Sequence, residues 1–134
     1  MATYNVGTDL SFVAAIDLAN YQYYFVKAGS VAGEVSLGNA VGGSVLGVLQ
    51  NDPGAGQEAT VRVGGTSKVY ANAGTSGSTI VNGGLVKAGS DGMAWGYNSP
   101  TASVFAAGVA LETLASGSGV YIEILVTPYL RPGA

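Results

Sequence analysis

The chain has no cysteine and no histidine. Without cysteine there is no disulfide framework, no iron–sulfur cluster and no thiolate nucleophile. Without histidine the commonest general base and the commonest transition-metal ligand are missing. Charge is scarce as well: five Lys and Arg with eight Asp and Glu make 10% of the chain, against a usual ~25%. The cations Lys27, Arg62, Lys68, Lys87 and Arg131 are scattered, whereas a nucleic-acid binder clusters them to displace counterions from phosphates. Nucleic acid is not an expected partner. Long hydrophobic runs are lacking too. Residues 1–20 have no basic start, and their longest apolar run, 12–16, is too short for a signal peptide. The most apolar stretch, 120–126, carries Glu123 and falls far below spanning length. The expectation is a protein made in a cytoplasm and not bound to a membrane.

What is abundant is glycine, 22 of 134 residues, more than twice the average share of ~7%. A chain of this length has the usual size of one domain and can bury about two thirds of its unfolded surface. Apolar residues recur with period two in short runs bounded by Gly, Asn, Ser or Pro, the pattern of strands and turns. Ala59, Val61 and Val63 alternate with Thr60 and Arg62, and Val120, Ile122, Ile124 and Val126 alternate with Tyr121, Glu123 and Leu125. Tyr21, Tyr23 and Phe25 can share one strand face. Residues 103–115 form the best helical window, but their spacing is ambiguous and reads as strand. The fold expected is all-β, a small single-domain barrel or sandwich with little or no helix.

An internal repeat organises this pattern. Lys27-Ala28-Gly29-Ser30 recurs as Lys87-Ala88-Gly89-Ser90, a shift of 60. Gly47-Val48 recurs as Gly108-Val109, and Ala59, Val61 and Val63 match Val120, Ile122 and Ile124, at a shift of 61. Two ordered blocks at nearly one lag indicate duplication, with pseudo-repeats at about 23–63 and 83–124 in a β domain spanning 21–127. Residues 1–20 are then an arm outside the repeat, and 128–134 a tail in which Pro128 and Pro132 should end pairing near Thr127.

Candidate chemistry is thin. Gly54-Ala55-Gly56-Gln57-Glu58-Ala59 has the Gly-x-Gly-x-x-Ala form of a dinucleotide fingerprint, but it follows Asn51-Asp52-Pro53 and runs into a strand rather than a helix; it reads as a turn. The eight acids stand singly, with Asp52 and Asp91 at turn positions. They form neither an evident carboxylate pair for glycoside hydrolysis nor a calcium loop. The expectation is no enzyme, cofactor, metal or small-molecule substrate. The aromatics Tyr21, Tyr23, Tyr24, Phe25, Trp95 and Tyr97 have three readings: a strand face in the core, a protein–protein interface, or a platform for stacking sugars. The arm carries Tyr4, Val6, Leu10, Phe12, Val13 and Ile16, more apolar area than a solvated tail needs. An arm of this kind orders when something ties it down; the alternative is that 10–16 adds an edge strand to its own barrel.

The order Gly-Val-Leu at 47–49, Gly56, Ala-x-Val-x-Val at 59–63, Gly64 and 69–71 resembles the head decoration (cement) proteins of tailed bacteriophages. The likeness continues through Ile80, Gly83-Gly84-Leu85-Val86, Asp91-Gly92, Gly108-Val109-Ala110, Gly117 and Ile122-x-Ile, covering about 23–126. The resemblance implies a β-tulip-like fold and homotrimers at three-fold positions outside an expanded head. The partners implied are the major capsid protein and further copies of the chain. The work implied is mechanical: clamping capsid subunits against internal pressure, with the weak contacts of one trimer acting together. Assembly would take place in the host cytoplasm. Tyr4, Val6, Leu10, Phe12, Tyr21, Tyr23, Tyr24, Trp95 and Tyr97 are the expected interface residues. The rival reading is a carbohydrate- or host-surface-binding β module of a fibre.

Overall fold

A computed structural model describes residues 7–74, 79–97 and 104–131. Tyr4 and Val6 lie outside the described residues. The alternating runs form strands: β1 (Gly7–Ala14), β2 (Phe25–Ala28), β3 (Glu34–Leu37), β4 (Gly47–Leu49), β5 (Glu58–Asn72), β6 (Leu85–Ala88), β7 (Ala94–Gly96), β8 (Val104–Ala110) and β9 (Ser118–Arg131). No helix occurs among the described residues. The fold is all-β, as its composition implies, and the ambiguous 103–115 window supplies β8.

The strands pair in the order β1-β3-β2-β4-β5-β7-β6-β8-β9, with additional pairings β1–β5 and β5–β9. Those two pairings close the sheet twice. β1, β3, β2, β4 and the first half of β5 make one five-stranded circuit; the second half of β5 with β7, β6, β8 and β9 makes another. Gly65 is the pivot, pairing with Gly7 on β1 and with Val126 on β9.

The two barrels are built alike. Phe25↔Val48 and Val26↔Gly47 join β2 to β4, and Leu85↔Val109 and Val86↔Gly108 join β6 to β8. Loop hydrogen bonds correspond too. The Tyr23 N–H donates to the Leu49 carbonyl at 2.7 Å, as the Gly83 N–H does to Ala110 at 2.7 Å. The Leu18 N–H donates to Pro53 at 2.9 Å, and the Ile80 N–H to Leu114 at 3.0 Å.

This correspondence corrects the extent of the repeat. Ala14 donates to Gln57 at 2.9 Å and Ala73 to Gly117 at 2.7 Å, while Leu10↔Val61 matches Val69↔Ile122. β1 is thus the counterpart of the second half of β5, and the first copy begins at β1 rather than near residue 23. The described part of the supposed arm, from Gly7 on, is a folded strand. It pairs antiparallel with β5 from Gly7 to Val13 and parallel with β3 at Val13 and Ala14, and both Ala14 and Leu18 are buried. Arg62 secures it further: Nε and Nη2 donate to the Asp9 carboxylate at 2.6 and 3.1 Å, and Nη1 donates to the Thr66 carbonyl at 2.8 Å. Arg62 is buried, so Asp9→Asn leaves its guanidinium short of a counter-charge. The expected loss is about 1.5–3 kcal/mol, read as a lower urea midpoint.

The other end departs from expectation as well. β9 runs through Pro128 to Arg131, with Tyr129, Leu130 and Arg131 opposite Ala106, Phe105 and Val104. Pairing survives because the register shifts between Ala106 and Gly108. Thr127 and Pro128 face the single residue Ala107 there, a bulge in which the missing proline N–H costs no ladder bond.

Two buried clusters fill the barrels. Ala14, Leu18, Val26, Val35, Leu49, Ala59 and Val61 fill the first. The second holds Val69, Ala71, Ile80, Val86, Ile122, Ile124 and Val126, and it also takes in Phe25, Val45 and Val48 from the first copy. β2 and β4 are therefore buried on both faces: Val26 and Leu49 point into their own barrel, Phe25 and Val48 into its neighbour.

Candidate functional site: a tyrosine surface where the barrels meet

Between Ala14 and β2 the chain must pass from one barrel wall to the other, and this connector carries Tyr21, Tyr23 and Tyr24. The Tyr24 N–H donates to the Tyr21 carbonyl at 3.0 Å, and the Tyr70 N–H on β5 donates to the Tyr23 carbonyl at 3.0 Å. The connector is thereby fixed beside the outer face of β5 and β9, where Tyr70 and Tyr121 are cross-strand partners. Five rings meet. Tyr70 and Tyr121 stack at 4.1 Å between centroids, Tyr23 meets Tyr121 edge-on at 5.7 Å, and Tyr24 meets Tyr70 at 5.4 Å and Tyr21 at 5.1 Å. The Lys68 ammonium lies 4.8 Å from the Tyr23 centroid and 5.0 Å from that of Tyr121, close enough for cation–π attraction.

One residue of this surface is held against its backbone preference. Tyr23 has φ +69°, the only described non-glycine residue with positive φ, and its counterpart in the second copy is Gly83 at φ +84°. A side chain at such a position costs of order 1–3 kcal/mol. The first copy bears that cost where the ring packs on Tyr121 and beneath Lys68, which ties the strain to the aromatic surface.

Two of the phenols, Tyr121 and Tyr24, hold their protons more tightly than a free tyrosine. Hydrogen bonding with Tyr70 pushes the Tyr121 hydroxyl up to about 12, aided by burial and by the neighbouring phenols Tyr70, Tyr23 and Tyr24. Burial first, then Tyr70, Asp91 and Tyr21, raises Tyr24. An unfolded tyrosine ionises near pH 10, so between about pH 10 and 12 the unfolded chain sheds the Tyr121 proton first and stability falls as pH rises. Tyr70→Phe removes the largest cause and is expected to bring the Tyr121 midpoint down toward 10, followed by NMR of the ring carbons.

The remaining expected interface residues separate. Trp95 is buried at 8% exposure, and its Nε1 donates to Asp91 Oδ1 at 3.0 Å. Asp91 Oδ1 also accepts from the Met93 N–H at 2.9 Å, and Oδ2 from Asn72 Nδ2 at 2.8 Å. Trp95 is a structural tie and not part of an exposed stacking platform. Tyr97 lies apart, its ring under the Lys87 ammonium at 5.9 Å. Phe12 is half-buried against the first core, and Leu10 is 48% exposed at the end of that barrel. The sequence reading missed Tyr70 and Tyr121. Each is the outward residue of an alternating strand, Val69-Tyr70-Ala71 and Val120-Tyr121-Ile122, which is the signal that could have found them.

Among the described residues no three Asp or Glu side chains gather as a metal site. What the surface offers is flat apolar area edged by hydroxyls, suited to a protein partner or a sugar ring.

No family model matches the chain, and no curated protein sequence matches it. A solved structure does: the head fiber gp8.5 N base in bacteriophage phi29, with a TM-score of 0.64 over 95% of this chain and 97% of that one. The fold is shared. At 17% identity, the likeness concerns architecture, and it runs to a head-fiber base rather than to a decoration protein.

Proposed function

We propose that the protein is a structural component of a tailed-phage head, attached to the outside of the capsid as a homotrimeric decoration protein or fibre base. The observation that carries this reading is the shared fold, which spans nearly all of both chains and belongs, in its relative, to the base of a head fibre. Sparse charge and an aromatic surface agree with a life spent in contact with other proteins. The work is mechanical, bridging major capsid protein subunits and opposing internal pressure, and it calls for no catalysis. Among the tyrosines whose side chains are described, Tyr121, at 41% exposure, is the best placed to meet a partner, and aromatic anchors of this kind carry about 1–2 kcal/mol or more of binding. Tyr121→Ala is expected to weaken capsid retention about tenfold while leaving the fold intact.

The tyrosine cluster itself favours a second reading, a carbohydrate- or host-surface-binding module of a fibre. Co-sedimentation with expanded, DNA-free capsids separates the two. Pelleting with capsids supports the first; retention on a glycan column without pelleting supports the second and overturns the first.

A further inference from the structure

The contact between the two barrels is made from unlike faces. The first barrel contributes its outer β2–β4 row, Phe25 and Val48, both fully buried. The second contributes the end of its interior, where Val69 and Ala71 on β5 join the same buried cluster. The turn of the second hairpin completes the contact: the Phe25 N–H donates to the Gly92 carbonyl at 3.0 Å, and Gly92 lies against Leu37 and Tyr24.

Because the copies are alike, each of these faces recurs once more, without a counterpart among the described residues. The counterpart of the Phe25–Val48 row is Leu85–Val109, cross-strand partners on the outer face of the second barrel, continued by Leu125 opposite Val109. Leu85 and Val109 are half-buried and Leu125 is 37% exposed. The counterpart of Val69 is Leu10, which sits at the end of the first barrel at 48% exposure, where Val69 is fully buried. The turn of the first hairpin, the counterpart of the Gly92 turn, presents Val31 at 59% exposure. Among the described residues, both halves of the contact that joins the barrels are thus left open.

We infer that the occupant is a second copy of this chain. The Leu85–Val109–Leu125 row of one protomer seats on the Leu10–Val31 end of the next, continuing between chains the contact that joins the two barrels within one. The contact is heterologous, so it propagates and closes into a ring where the rotation permits. The inference rests on the equivalence of the two copies and not on attachment to a capsid, and free protein tests it.

Sedimentation velocity of the purified full chain is expected to show wild type as an oligomer above about 10 μM, the range a micromolar contact requires. Leu10→Asp and Leu125→Asp, at positions 48% and 37% exposed, are expected to sediment as monomers that still unfold cooperatively. An equimolar mixture of the two variants gives the decisive reading. Each retains one intact face, so the mixture is expected to form dimers and nothing larger. Wild type that stays monomeric, variants that still assemble, or a mixture that remains monomeric would each overturn the inference, the last by showing a contact of like with like.

Discussion

Replacing Phe25 with Ala is expected to remove about 3–5 kcal/mol of unfolding free energy, the range for truncating a fully buried Phe. Phe25 belongs to the first copy by sequence, yet its ring lies in the second copy's core at 0% exposure. Truncation therefore opens a cavity between the barrels rather than within one. The denaturation midpoint should fall sharply, and both barrels should lose protection from hydrogen exchange together. Phe12→Ala makes the comparison. Phe12 is half-buried, so its loss should cost about 2 kcal/mol on the same scale. That fall in stability, rather than weakened attachment, is the expected main effect of truncating Phe12, because its strand is one wall of the first barrel.

The second large effect falls on glycines that look interchangeable in a glycine-rich chain. A Cβ added at Gly47 would lie 2.0 Å from the Arg62 carbonyl oxygen, and one at Gly108 would lie 2.3 Å from that of Leu125. Both obstacles are backbone, in strands paired on two sides, so neither yields without moving the barrel wall. Gly47→Ala and Gly108→Ala are each expected to cost about 3 kcal/mol or more, at or beyond the usual range for overpacking. Gly64 is the control. Nothing lies within 4 Å of a Cβ there, and Gly64→Ala should be near neutral or stabilising by a few tenths of a kcal/mol. Thermal melts of the three variants side by side read the difference. The close approach also explains why Gly-Val is the pair that recurs at 47–48 and 108–109: each copy crosses a neighbouring backbone at this point.

Period-two runs such as 59–63 and 120–126 were legible in the sequence because one face of each supplies apolar core residues, Ala59 and Val61 in the first and Ile122, Ile124 and Val126 in the second, while the other carries mostly polar or aromatic side chains. The lag between the copies was legible for a related reason. Lys-Ala-Gly-Ser turns and Gly-Val crossings are constrained by backbone geometry, and so their residues were kept. β1 was not legible as a repeat element, since its counterpart is Val69 and Ala71 where it carries Leu10 and Phe12, and an inward face constrains size more loosely than a turn constrains glycine. Pro128 misled because a bulge depends on the partner strand, here Ala107, which the run around the proline does not reveal. The tyrosine surface was half legible. Tyr21, Tyr23 and Tyr24 stand together in sequence, whereas Tyr70 and Tyr121 join them only through the register of β5 on β9, a relation between residues 51 positions apart. Residue type left Trp95 open between core and interface, and its burial follows the core reading: an indole with its N–H satisfied by Asp91 can sit inside.

The most direct test of the central claim, that this is a structural protein of the phage-head exterior, is a cryo-EM map of expanded, DNA-free capsids incubated with the purified chain. The account predicts added density on the outer capsid surface into which the two-barrel fold fits. Bare capsids at saturating protein, or density confined to the tail, would contradict it.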